Sequence, residues 1–268
     1  MRRTILIIAL VLGIPARLTA APAASPSTPR PEACPVDATF WTTRFAPAPR
    51  VELLLAAGNT VPADPRMRTL YERLAIAVVD CVPSGVPVDV YPITDFGVGR
   101  GAVFSGTAPR DTSNPLLDQR EREAFTRTSR SRIDAVVNVR RAYAGSDPLG
   151  TLYTVGDSLH ATPLSGPVLV VIITNGWQQT RTLNLFRYND DPSKHANEIV
   201  RRLRGEGALP NLAGTDVAFA GISRGDERMK MGYREVIGLR RFWSRLVDAA
   251  GGTLVNFDET LPGIVAPL

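Results

Sequence analysis

The feature that most constrains the fold is the apolar run Gly166–Gly176, GPVLVVIITNG. A run of Val and Ile without polar residues, of strand length, predicts a strand buried on both faces, as in a parallel sheet covered by helices. Ligands of such sheets bind beyond the carboxyl ends of the strands. The sequence therefore predicts a site at Thr174, Asn175 and Gly176, on the sheet edge that we call the carboxyl rim.

The remaining segments alternate between strand and helix patterns. The predicted strands are Val51–Ala57, Val86–Ile93, Ala102–Ser105, Thr215–Ile222 and Thr253–Phe257, and the predicted helices are Met67–Val82, Pro115–Ala142, Leu149–His160, Pro192–Arg204 and Tyr233–Ala250. This order predicts an α/β three-layer sandwich with a mostly parallel, doubly wound sheet. Val86–Ile93 and Ala102–Ser105 are expected toward one edge of the sheet.

The N-terminus has the pattern of a secretory signal peptide. Met1-Arg2-Arg3 is basic, Thr4–Ile14 is apolar but too short to span a bilayer comfortably, and small residues follow. We expect a signal peptide over 1–24, a Pro/Ala-rich arm over 25–45, one α/β domain over 46–262 and a tail over 263–268. The protein is then secreted or periplasmic, with no membrane span after cleavage; a retained N-terminal anchor is the alternative.

Cysteine use and charge agree with an exported globular protein. Cys34 and Cys81 are the two cysteines, and in an oxidising compartment their simplest use is one disulfide. The net charge of +5 comes almost entirely from arginines. These are spread over several helices rather than clustered among aromatic residues, which argues against nucleic-acid binding.

Four motifs, VELLLAAGNT, GSDPLGTLYTVGDSL, VLVVIITNG and VAFAGISRG, resemble in order and spacing those of a von Willebrand factor A-type domain. The resemblance covers about Arg50–Pro262. In that family three loops hold Mg²⁺ through two aspartates, two serines and a threonine, and a partner's carboxylate completes the coordination.

This chain departs from the family's ligand set. The aspartates fall on Ala56 and Asn175, the serines on Gly58 and Thr60, and the threonine on Ser146 or, in a shifted register, Thr151. Magnesium needs at least one or two carboxylates. Asp64 and Asp147 are the acidic candidates, and Asp147 is better explained as a helix cap, so we expect neither a metal nor another cofactor.

Two enzyme motifs are weak. Gly221-Ile222-Ser223-Arg224-Gly225 matches a hydrolase nucleophile elbow, but His160 and His195 both precede Ser223, whereas the base usually follows. The glycines of Gly97–Ala102 are better explained by a loop than by a dinucleotide site.

The sequence thus predicts a non-enzymatic domain that binds a protein or cell-envelope partner through the carboxyl rim. The candidate residues are Gly58, Asn59, Thr60, Ser146, Thr151, Asn175 and Trp177, with Trp177 either a partner anchor or a ring packed over the sheet end. Metal-dependent adhesion with an unusual ligand set and a secreted hydrolase using Ser223 are the alternatives.

Overall fold

The computed structural model describes residues 50–140, 142–161, 166, 168–188, 191–222 and 232–262, all within one compact unit that spans residues 32–268. The predicted signal peptide, the arm and the tail lie outside the described residues, as do Cys34 and Ser223. Among the described helices, none is both long and apolar enough to cross a membrane.

Six strands form one sheet. They are β1 (Val51–Ala56), β2 (Pro87–Ile93), β3 (Phe104–Thr107), β4 (Val168–Ile173), β5 (Thr215–Ala220) and β6 (Thr253–Phe257), in the spatial order β3-β2-β1-β4-β5-β6. Every neighbouring pair is parallel except β2 with β3. This is the doubly wound order, so the fold class predicted from the alternating pattern is confirmed.

Helices cover both faces of the sheet. They are α1 (Pro65–Cys81), α2 (Pro115–Val137), α3 (Pro148–Ala161), α4 (Ala196–Gly205) and α5 (Tyr233–Ala249), with 3₁₀ turns at Gly58–Thr60, Leu185–Tyr188 and Pro192–His195. Apolar side chains of α1 and α2 pack on one face of the sheet, and those of α3, α4 and α5 pack on the other. The central strands β1 and β4 are buried along their whole length, as the apolar run at β4 predicts.

Several boundaries differ from prediction by a few residues, and nearby contacts give a physical reason for two of the differences. Helix α2 ends at Val137 rather than Ala142, and the chain then runs to Tyr143, whose backbone N–H and C=O both bond the side chain of Asn59. Strand β3 begins at Phe104 rather than Ala102, because the loop before it is bonded to α3 through Gly99 N and reaches the sheet only at Val103, whose N–H donates to Val90 O at 2.8 Å.

The cysteine pairing stays a prediction, with one end described. Cys81 lies at the end of α1 and is 6% exposed. Replacing both Cys34 and Cys81 by alanine is expected to lower the unfolding free energy by about 2–3 kcal/mol, because the cross-link restricts the unfolded chain. Denaturant titration checks this, and thiol counting in denaturant must find no free thiol in the parent. Two free thiols in freshly purified parent would contradict the pairing.

Candidate functional site

The carboxyl rim brings the three predicted loops to one edge of the sheet. The loop after β1, the loop after β4 and the segment before α3 meet there because the strands run parallel. Ser146 and Gln179 join two of these segments through a pair of backbone hydrogen bonds, of 3.0 and 2.7 Å. The rim is therefore a bonded assembly rather than a set of independent loops.

Asp147 is the centre of this assembly. It is 7% exposed, and its carboxyl group accepts hydrogen bonds from Gly97 N (2.9 Å), Gly150 N (2.9 Å) and Gln178 Nε2 (2.7 Å). The bond from Gly150 caps the first turn of α3, as the sequence predicts. The other two bonds fasten the loop after β2 and the loop after β4 to that cap. We call Asp147 and its three donors the Asp147 cluster.

Two glycines of this cluster lie too close to their neighbours to carry a side chain. A Cβ on Gly150 would lie 2.1 Å from Asp147 Oδ2, and one on Gly97 would lie 2.4 Å from the backbone nitrogen of Thr151. Such a close approach of backbone is a use that only glycine serves.

The residues at the family's metal positions do not fit Mg²⁺. Thr60 Oγ1 bonds the backbone of Ala57, at 2.8 Å to N and 2.9 Å to O, and Thr151 Oγ1 donates to Asp147 O. Asn175 Oδ1 accepts from Trp177 N at 3.1 Å. Asp64, the other acidic candidate, caps α1.

The two positions that carry aspartates in the family hold no carboxylate in this chain, because they fall on Ala56 and Asn175. No group of three or more His, Cys, Asp or Glu residues able to hold a metal occurs among the described residues. Because Mg²⁺ requires hard, charged oxygen ligands, this donor set offers too little charge to replace its water.

Two hydroxyl groups at the rim do lack hydrogen-bond partners. Ser146 Oγ and Thr174 Oγ1 are buried, and neither bonds any atom of the described residues. Thr174 follows the last residue of β4, and Ser146 immediately precedes Asp147. Buried hydroxyls of this kind are satisfied by water or by a ligand.

Trp177 packs over the sheet end. It is 5% exposed, and its ring stacks on Phe186 with centroids 4.2 Å apart and planes 10° apart. Trp243 supports the same turn from α5 by donating from Nε1 to Gly176 O at 2.8 Å. Of the two interpretations of Trp177, the structure agrees with packing; little of its ring is open to a partner.

The residues that the sequence analysis missed are Phe96 and Val98, in the loop that joins β2 to β3. Their exposed fractions are 61% and 43%. The loop is held to α3 by Gly97 N on Asp147 and by Gly99 N on Thr154 Oγ1 at 2.8 Å. An exposed aromatic on a bonded loop is a typical anchor for a partner. The available signal was an apolar residue on each side of Gly97 in a glycine-rich stretch.

A buried group of ionisable side chains near the amino ends of β1 and β2 was also not predicted from the sequence. Glu52 in β1 is 0% exposed and faces Asp89 in the β1–β2 register. Arg50 lies between them, 2.6 Å from Glu52 Oε1 and 2.5 Å from Asp89 Oδ2. Burial, with a smaller contribution from Asp89, raises the pKa of Glu52 to about 8 against the opposing effect of Arg50. Burial and Glu52 also raise the pKa of Tyr91 to about 12.

Each histidine contacts groups close to it in the chain. His160 Nδ1 lies 3.1 Å from Gly156 O in its own helix, the role expected near a helix C-terminus, and His195 stacks against Tyr188. The Gly97–Ala102 stretch is a loop that leads into β3 rather than into a helix, as the loop interpretation predicts.

Among solved structures, the chain is similar to a von Willebrand factor type A protein from Catenulispora acidiphila, with 13% identity over 78% of this chain and a TM-score of 0.41. It is also similar to the human COPII-coat protein Sec24c, with 12% identity over 79% of this chain and a TM-score of 0.40. The chain spans 38% and 29% of those two proteins. No protein-family model matches it, and no curated protein matches it in sequence.

Proposed function

We propose that this chain is a non-enzymatic interaction domain that acts outside the cytoplasm and binds a protein or cell-envelope partner through the carboxyl rim, without a metal ion. The observation that carries the proposal is the exposed pair Phe96 and Val98, held at the rim by the Asp147 cluster. A partner that covers them buries apolar surface without first having to order the loop.

The polar groups of the rim support binding rather than catalysis. Asp147, Thr60 and Asn175 are each bonded to backbone or side-chain groups of this chain, so none is poised as a base or nucleophile. The hydrolase alternative depends on Ser223, outside the described residues, and stays a prediction. A panel of esters hydrolysed by the protein but not by Ser223→Ala would favour it.

The metal-dependent alternative is kept because of the unpartnered hydroxyls of Ser146 and Thr174. Our proposal predicts that millimolar Mg²⁺, Mn²⁺ or Ca²⁺ shifts the thermal midpoint of the metal-free protein by less than about 1 °C. An ion that did bind the folded protein, at about 100 times its dissociation constant, would instead add about 2.7 kcal/mol and raise the midpoint by several degrees. A larger shift that Ser146→Ala and Asn175→Ala both remove would restore the metal site.

The binding surface is tested by placing the photoreactive residue p-benzoylphenylalanine at position 96 in cells that export the protein. We expect a covalent adduct with one partner, formed equally with and without EDTA. The matched control carries the same residue in place of exposed Glu206, just after α4 at the opposite edge of the sheet. Equal adducts at both positions, or loss of the adduct with EDTA, would contradict the proposal.

Once the partner is in hand, Phe96→Ser is expected to weaken its affinity by about thirtyfold, since truncation of a central anchor costs 2 kcal/mol or more. Isothermal calorimetry measures this, and the unfolding free energy of the variant serves as the control for folding. Unchanged affinity would place the contact elsewhere.

A further inference from the structure

An open cleft of about 530 Å³ lies at the carboxyl rim, between the loop after β1 and the segment after α2. Its charged lining consists of Arg68, near the start of α1, and Arg140, which follows the end of α2. The other lining residues are neutral: Gly58, Asn59, Asn138, Val139 and Ala142. Among the described residues that line the cleft, two guanidinium groups therefore meet no carboxylate.

Arg68 is held in position by neutral acceptors. Its Nη1 donates to Val137 O at 2.5 Å and to Asn138 Oδ1 at 3.3 Å. Within the part of the chain that the structure describes, Nε and Nη2 of Arg68 have no partner, and neither Arg68 nor Arg140 forms an ion pair. The guanidinium group of Arg68 is thus held at the cleft by neutral groups, with two of its nitrogens still able to donate.

The opposite wall of the cleft is equally well fixed. Asn59 bonds Tyr143 twice, with Oδ1 accepting from Tyr143 N at 2.6 Å and Nδ2 donating to Tyr143 O at 2.9 Å. This pair ties the loop after β1 to the segment after α2, so both sides of the cleft keep their separation. Val139, 36% exposed, and Ala142 add an apolar strip beside the arginines.

We propose that this cleft binds a carboxylate of an acidic peptide segment, with Arg68 as the fixed donor, Arg140 closing on the free side and the apolar strip contacting the peptide's methylene groups. A planar guanidinium matches a carboxylate with two parallel N–H···O bonds. This inference rests on the proposed function, which supplies the premise that the partner is a protein. It names one chemical feature of that partner, a Glu or Asp side chain or a free C-terminus.

The test measures fluorescence anisotropy of the full chain with a labelled peptide of alternating Glu and Ala, and with the same peptide carrying Gln for Glu. We expect the Glu peptide to bind at least about tenfold more tightly than the Gln peptide, with affinity falling as salt rises. Arg140→Gln and Arg68→Gln should each weaken the Glu peptide by about tenfold, and Arg68→Lys should not restore it. The matched control is Arg201→Gln, an exposed arginine of α4 outside the cleft, expected to change affinity less than about twofold.

Three results would overturn the inference. One is failure of the Glu peptide to bind at millimolar concentration. The second is an effect of Arg201→Gln as large as that of Arg140→Gln, which would indicate general attraction to a basic protein. The third is arginine-dependent binding of inorganic phosphate without binding of the Glu peptide. Failure here leaves the adduct at position 96 intact, whereas failure of the proposed function removes that adduct and leaves peptide binding measurable.

Discussion

Replacing Asp147 by alanine is expected to lower the unfolding free energy by about 3–5 kcal/mol, because three buried donors lose their acceptor at once. Gly97 N, Gly150 N and Gln178 Nε2 all bond this one carboxyl group, and no other described acceptor bonds the two backbone groups. Chemical denaturation measures the loss, and amide exchange should show that Gly97 loses its protection.

A matched variant separates this effect from the loss of a charge on α3. Asp157 lies on the same helix, is exposed and makes no hydrogen bond within the described residues, so Asp157→Ala should change stability by less than about 0.5 kcal/mol. Asp147→Asn should fall between the two, because its amide keeps one acceptor and turns a second donor toward the cluster. Equal stability of Asp147→Ala and Asp157→Ala would show that the rim does not depend on the cluster.

The second large effect is a pH dependence centred on Glu52. Two carboxyl groups share Arg50 in a buried place, so a proton on Glu52 removes one uncompensated negative charge. With its pKa raised to about 8 in the folded protein, the group holds a proton that the unfolded chain releases near its ordinary value. The stabilisation that comes from this bound proton is therefore complete at acid pH. The unfolding free energy falls as pH rises toward about 8, with a slope of up to about 1.4 kcal/mol per pH unit.

Glu52→Gln imitates the protonated side chain and should remove this slope. We expect equal stability of the variant and the parent near pH 5 and an advantage for the variant of about 3 kcal/mol near pH 8. The control is Glu121→Gln, an exposed glutamate of α2, which should follow the parent at each pH. If Glu52→Gln is less stable than the parent by the same amount throughout, the carboxyl group is ionised and paired with Arg50 over the whole range.

The sequence predicts the strands well where an apolar run decides the structure. The run at Val168–Ile173 becomes β4, and TLVNF becomes β6 with the predicted bounds. It predicts poorly where a distant contact decides. The sequence predicts a helix through Ala142, but α2 ends at Val137, where Arg68 bonds the last carbonyl group and Asn59 bonds Tyr143 beyond it.

The same limit applies to the candidate site. Gly58, Asn59, Ser146 and Asn175 could be placed at the rim because each lies next to a predicted strand end or helix start. The exposure of Phe96 could not be predicted, since it depends on Gly97 reaching Asp147, fifty residues away in sequence. Glu52 was visible as a charge inside an apolar strand, but its partner became clear only when the register set it beside Asp89.

The bonds between Asn59 and Tyr143, between Asp95 and Ala144 N, and between Asp147 and Gly97 run through one continuous segment of the rim. Three loops that would otherwise sample many conformations have therefore lost most of their conformational entropy during folding. If the proposed partner binds here, it meets a surface already in its binding shape, and we expect its association rate to be limited by diffusion and orientation rather than by loop rearrangement. The backbone of the rim should superimpose in the free and bound states, and a single kinetic phase should describe binding at every partner concentration.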